Sequence, residues 1–414
     1  MSYVRCLEGM QSGKTYPADT IMNTCPVDGR PVTIRYDLEA LRSDRPIPRW
    51  YQPERDDLWR FGGLLPLDSG DPADEPDIVS LGEGATPVRD YPEHPAAQRG
   101  SFRLRVKDEG PYAPEGNPTG SFKDRGMAVV VSMAQHLGVD RLAVPTQGNA
   151  GDALAEYGVA AGLDVGIGMP ADTDMPILGK VSAYEKMYDE VDLTVVEGTI
   201  REAGDAVETT YLNDGYFNVA TFQEPGWRIE GKKTMGLELA EPNAPSGAWS
   251  VPDVIVYPTG GGTGILGMWK AFDELETLGL IGPERPRMVS VQSTETAPIV
   301  EAFQRGNDDT TPVSPGETIA TGLNVAGGIG HFRVLDILYE SNGYALSVPE
   351  PSIATAVQRT YHEKGWWICP EGAACLAALE PLLDLDVIQA SDDVVVFNTA
   401  SLEKYLPNTR HLLQ

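Results

Sequence analysis

From about residue 100 the chain alternates short apolar runs with helical windows, and this alternation restricts the possible folds more than any other feature. Strand-like runs fall at 102–106, 142–145, 165–169, 193–196, 254–257, 288–291 and 394–397. Between them the residue spacing predicts helices over 122–137, 149–162, 176–189, 199–212, 228–241, 264–279, 350–363 and 371–383, several stopped by a glycine (Gly138, Gly162, Gly279). That order implies an α/β fold built on doubly wound, mainly parallel sheets. Ligands in such folds sit beyond the carboxyl ends of the strands.

At 414 residues, 41% of them apolar, the chain can bury a sizeable core and is expected to form two domains plus an extension. No stretch approaches the roughly 18 apolar residues of a membrane span, and the opening Met1-Ser2-Tyr3-Val4-Arg5-Cys6 lacks the apolar region of a secretory signal. A soluble, cytoplasmic protein is expected. With 61 Asp and Glu against 32 Lys and Arg, the net charge of -29 repels nucleic acid and anionic lipid, so neither is an expected partner. The cations are 22 Arg but only 10 Lys, and the acids are scattered singly. Such a surface suits concentrated salt, where counterions screen its self-repulsion, and a halophilic protein is expected.

Residues 1–80 read as an N-terminal extension that begins with a small β-ribbon. A zinc ribbon needs two Cys-x-x-Cys knuckles, but Gly9 and Asp28 stand where the partners of Cys6 and Cys25 would be. The reading is therefore metal-free packing thiols. With Cys369 and Cys375 the cysteines are too few for a disulfide scaffold. Residues 40–80, rich in Pro, Asp, Arg and Trp, have no period and read as an ordered wrap.

Three segments carry chemistry. Gly116-Asn117-Pro118-Thr119-Gly120-Ser121-Phe122-Lys123-Asp124-Arg125-Gly126 is a turn-rich loop that puts Lys123 at a helix N-terminus, where the dipole favours the neutral amine a Schiff-base nucleophile needs. Thr259-Gly260-Gly261-Gly262-Thr263-Gly264 follows an apolar strand and opens a helix, the arrangement of a phosphate cradle without the order of a dinucleotide fingerprint or the lysine of a P-loop. Thr146-Gln147-Gly148-Asn149-Ala150-Gly151-Asp152 ends a strand and begins a helix, with Asn149 able to meet a phenolic oxygen, to cap the helix, or both.

Together these segments resemble the pyridoxal-phosphate enzymes of the tryptophan synthase β-subunit fold type, and within it the threonine synthase family. Asn117 to Met127 match the family's signature almost letter for letter, and the resemblance extends to Leu81-Gly82-Glu83-Gly84-Ala85-Thr86-Pro87, Trp227-Arg228-Ile229-Glu230-Gly231-Lys232-Lys233-Thr234 and Asn398-Thr399-Ala400-Ser401. The resemblance implies a catalytic region over 81–414, in which a smaller domain of about 125–225 is inserted into a larger one with pyridoxal 5'-phosphate in the cleft. It implies that Lys123 carries the cofactor as a Schiff base, that Phe122 packs near its ring, and that Gly260, Gly261, Gly262, Thr263 and Gly264 hold its phosphate. Asn149 would meet the ring hydroxyl and Thr399 the pyridine nitrogen.

The implied reaction takes O-phospho-L-homoserine and water to L-threonine and phosphate, by elimination at the γ carbon and hydration at the β carbon. Arg228 is the candidate for the substrate's phosphate, since guanidinium bonds it in bidentate fashion, with Thr146 and Gln147 as further substrate contacts. A surface lysine at a strand end is the expected reading of Lys107, and a solvated helix face that of Lys232 and Lys233. Ala150 and the triple-glycine loop depart from the family's pattern. The triple-glycine loop and Thr318-Ile319-Ala320-Thr321-Gly322-Leu323 keep open a threonine or serine ammonia-lyase on the same fold, and an enzyme making cysteate from phosphoserine is a further alternative. A homodimer acting on a small amino-acid substrate is expected, with no metal.

Overall fold

Parallel strands covered on both faces must be apolar at every position, and the valine-rich runs 254–256 and 394–396 meet that demand: they pair in parallel and are wholly buried. They belong to a computed structural model that describes residues 3–44, 50–71, 73–242 and 247–414. The chain divides into two compact units, Met1–Ala85 with Asn117–Thr234, and Thr86–Gly116 with Met235–Gln414. The N-terminal extension thus shares a unit with the segment that contains 125–225.

The first unit holds a four-stranded parallel sheet in the order Val191–Val196, Asp164–Pro170, Arg141–Pro145, Phe217–Asn218. Gly166 and Gly168 leave room on the strand Asp164–Pro170 for helix Ile200–Thr210 and the Tyr211 that ends it: a Cβ at Gly166 would stand 2.5 Å from the Tyr211 ring. Helix Asn149–Ala161 stops at Gly162, whose φ of +66° lets its N–H turn back to Gly158 and Val159. Helix Ile200–Thr210 starts with a reciprocal cap between Thr199 and Glu202.

The ribbon is also in this unit, as Val4–Gly9 paired antiparallel with Thr15–Tyr16 and Val32–Tyr36. Buried Cys25 meets the Ser12 hydroxyl at 3.4 Å and the Tyr16 hydroxyl at 3.3 Å, while Cys6 is half-buried; both are free thiols. The wrap is more regular than its sequence suggests. It includes helix Leu38–Asp44 and a 3-10 helix, Leu58–Leu64, whose Trp59, Phe61 and Leu64 enter the core, whereas 45–49 and 72 lie outside the described residues.

The second unit is built on a six-stranded sheet in the order Tyr344–Val348, Arg287–Ser293, Val254–Pro258, Asp393–Asn398, Arg103–Asp108, Val88–Asp90. All its pairs are parallel except the last. Strand Tyr344–Val348 and helices Pro298–Gln304 and His331–Glu340 escape the periodicity reading, and the window 371–383 breaks into Pro370–Ala377 and Leu379–Asp384. Among the described residues no helix is long and apolar enough to cross a membrane.

Candidate active site

In the first unit the Lys123 loop is clamped by its own helix. Asp124, in the first turn of helix Lys123–His136, accepts from the Thr119 backbone N–H at 2.7 Å and from the Thr119 hydroxyl at 2.6 Å. Asn117 accepts from the Gly84 N–H at 3.2 Å, which ties the loop to the Gly82-Glu83-Gly84 segment. Lys123 is thereby the first helical residue, with its Nζ 4.0 Å from the centroid of the Phe122 ring.

At the carboxyl edge of the four-stranded sheet, Thr146 is buried and Gln147 and Asn149 are half-buried. The cap of the following helix differs from the expected one. Gly148 occupies the N-cap, and the Thr146 hydroxyl accepts from the Gly148 N–H at 3.0 Å and the Gly151 N–H at 3.4 Å. Asn149 is the first residue inside the helix.

In the second unit the glycine loop links strand Val254–Pro258 to the 15-residue helix Thr263–Thr277, whose N-terminus has no side-chain cap. Three of its four glycines are required by their surroundings. A Cβ on Gly260 would stand 2.5 Å from the Gly322 carbonyl, Gly262 has φ +91°, and a Cβ on Gly264 would strike the Tyr257 ring. Gly260 and Gly261 remain half-exposed. Uncapped N–H groups at a long helix start, with no side chain in the way, fit a phosphate. Thr399 follows the neighbouring strand Asp393–Asn398 at the same sheet edge, its hydroxyl 3.6 Å from the buried Cys369 thiol. Burial pushes that thiol up, which keeps it protonated.

The helix Trp227–Ala240 overturns three readings. All of its residues are buried, polar ones included. Lys232 and Lys233, expected on a solvated face, are each 0% exposed, because Gly231 and Gly126 let two helices approach until Gly231 lies against the Arg125 carbonyl. Lys233 pairs with Glu230 at 2.5 Å, and Tyr36 also donates to Glu230. Lys107, expected at the surface, is 1% exposed and donates to Glu238 and to the Thr86 carbonyl, both at 2.6 Å. Arg228 is buried too and donates to the Val219 carbonyl at 3.0 Å.

Glu224, which the sequence reading passed over, stands in the bend just before helix Trp227–Ala240 and accepts from the Arg228 backbone N–H at 3.2 Å. Burial pushes its carboxyl up to about 7, although Arg228 opposes that rise. The available signal was the spacing of Arg228 and Lys232, four residues apart on one face of that helix, with an acid just ahead of it.

Residues 79–400 match the family model for pyridoxal-phosphate-dependent enzymes. A threonine synthase from Methanocaldococcus jannaschii is 32% identical over 395 residues, 95% of this chain and 91% of that protein. The chain belongs to the threonine synthase family. A second member of that family, from Methanosarcina acetivorans, is 31% identical over 98% of this chain and 92% of its own length. Among solved structures, a threonine deaminase from Solanum lycopersicum aligns with a TM-score of 0.62 at 20% identity, covering 81% of this chain and 89% of that one. At that identity the likeness speaks for the fold that threonine synthases share with other pyridoxal-phosphate enzymes.

Proposed function

We infer that this chain is a threonine synthase, which converts O-phospho-L-homoserine and water to L-threonine and phosphate with pyridoxal 5'-phosphate as cofactor. The observation that carries this reading is the near full-length likeness to two threonine synthases. The cofactor, when bound, supplies an electron sink that makes protons on the substrate's carbons labile. The chain's own residues do the rest. Lys123, fixed at the first turn by the Asp124–Thr119 clamp, is the amine that holds the cofactor and then carries protons between carbons. The loop from Gly260 to Gly264 supports the cofactor phosphate, and Thr399 is the neutral partner of its ring nitrogen. Asn149 meets the ring hydroxyl and Phe122 flanks the ring. Arg228, Thr146 and Gln147 are assigned to the substrate.

An ammonia-lyase is the second reading. It is favoured by the triple-glycine loop, by the segment 318–323 and by fold likeness, whereas the relatives at 31–32% identity are threonine synthases. A paired assay separates the two: phosphate and threonine from O-phospho-L-homoserine, beside 2-oxobutyrate from threonine. Phosphate and threonine in equal amounts are the expected result; 2-oxobutyrate alone would overturn it.

The assay is best run in molar potassium chloride, because we also propose that the protein is cytoplasmic and salt-adapted, on the strength of its charge of -29. Activity that survives at low ionic strength would refute the salt adaptation. A homodimer, common among enzymes of this fold, completes the proposal.

A further inference from the structure

Within the first unit, Glu224, Arg228 and Lys232 form a cluster with almost no solvent exposure and an excess of cations. Each leaves a buried polar atom without a hydrogen-bond partner among the described residues: Glu224 Oε1, Arg228 Nε and Lys232 Nζ. A side chain that brings N–H donors into a dry interior and uses none is costly unless something else occupies them. Lys232 Nζ lies 5.3 Å from the centroid of the Phe122 ring, the ring that Lys123 Nζ approaches at 4.0 Å. It also occupies the space beside Gly126 where a side chain would stand, 2.5 Å from the position of a Cβ.

We propose that Lys232 is the substrate-phosphate anchor, its buried and unpartnered Nζ holding the phosphate dianion beside Arg228.

The inference rests on the threonine synthase reading, since that substrate carries its phosphate two bonds beyond the carbons where Lys123 works. A phosphate subsite close to Lys123 is then a geometric necessity. The groups facing Lys232 explain why it can be neutral. Desolvation pushes the ammonium well below its ordinary value, Arg228 and Lys123 push the same way as like charges, and Glu224 and Asp124 oppose them more weakly. A dianion reverses that balance. The bond balance is simple: the Nζ lone pair takes a solvent proton, no covalent bond to the ligand forms, and the new N–H donates to a phosphate oxygen. When phosphate leaves, the proton leaves with it or returns to solvent.

The test uses the cofactor-loaded protein and inorganic phosphate, so that the cofactor's own phosphate loop is already filled. Calorimetric titration near pH 8, where phosphate is mainly the dianion, is repeated in two buffers of different ionisation enthalpy and counts the protons taken up. About one proton per phosphate is expected for the wild type. Lys232→Met should bind phosphate roughly 10- to 100-fold more weakly, the loss of a charged hydrogen bond, and take up none. Lys232→Arg should recover affinity without proton uptake, which a purely structural role would not produce.

The wild-type count tests the idea even if a variant fails to fold. A wild type that turns over O-phospho-L-homoserine yet binds phosphate with no proton uptake would overturn this inference alone. A Lys232→Met protein that matches the wild type in affinity and proton count would do the same. A wild type that releases no phosphate from that substrate would overturn the functional reading instead.

Discussion

Lys107 and Lys232 are the same residue at the same depth, one in each unit, and they are treated in opposite ways. Lys107 finds its partners built in: the Glu238 carboxylate and the Thr86 carbonyl receive two of its protons at 2.6 Å. Lys232 has no hydrogen-bond partner among the described residues, and two of the charges that act on it are also positive. A buried ammonium whose partners come from the fold serves stability or specificity of structure, whereas one left without them is poised for a ligand. Burial by itself therefore says little about the role of a charged residue. The presence of a resident counter-charge is what separates the two.

The largest expected effect tests the paired side. Lys107→Met should cost about 3–5 kcal/mol in denaturant unfolding, because buried Glu238 loses its ion-pair partner at 2.6 Å. The double variant Lys107→Met, Glu238→Leu should recover much of that loss. If both proteins unfold alike, the pair is not coupled and the contrast with Lys232 fails.

A smaller effect is a tilt of stability with pH, in opposite senses for the acids and for Lys232. Glu224 and Glu83 are raised, to about 7 and about 8, mainly by burial, so above the ordinary carboxylate range the folded state binds more protons than the unfolded chain. Stability should fall as pH rises from about 4.5, by up to about 1.4 kcal/mol per unit for each group. Glu224→Gln should flatten the part below pH 7, and Glu83→Gln the part that continues toward pH 8. Lys232 is lowered, so the unfolded chain binds the extra proton and stability should climb with pH until the ordinary lysine value of 10.5 is reached. Melting temperatures across this range, with and without Lys232→Met, reveal whether the climb belongs to that residue.

The smallest effect sharpens the comparison from the other side. Lys232→Met should cost no unfolding stability at neutral pH and should raise it, since it removes the cost of deprotonating a buried lysine and replaces an unpaired polar tip by an apolar one of similar length. A loss of several kcal/mol in denaturant titration would mean that Lys232 holds the fold, as Lys107 does.

How much of this was legible in the sequence depended on whether the signal was local. Alternation located the central strands and most helices to within a residue or two, since a parallel strand must be apolar throughout and its βα connection must turn at once. Lys123 at its helix start and the glycines before Thr263 were legible for the same reason, as turn chemistry is written in adjacent residues. The wrap was less legible, because Trp59, Phe61 and Leu64 are ordered by what they pack against, with no repeat of their own.

The capping of helix Asn149–Ala161 shows the limit at short range. Asn149 was the better cap by residue type, yet Gly148 takes a backbone turn at φ 152° that leaves the Thr146 hydroxyl to accept the free N–H groups. The helix Trp227–Ala240 shows it at long range. With Arg228, Glu230, Lys232, Lys233 and Glu238 it reads as a solvated helix, and its burial follows from two glycines on different helices meeting face to face.

The sequence by itself determined the fold class, the family, the lysine at its helix start and the glycine cradle, because periodicity and turn residues act between near neighbours. Only the tertiary structure decided which charges lie inside and which of those have partners. Desolvation and pairing depend on residues more than a hundred positions apart, as Lys107 and Glu238 are, and no local pattern records them.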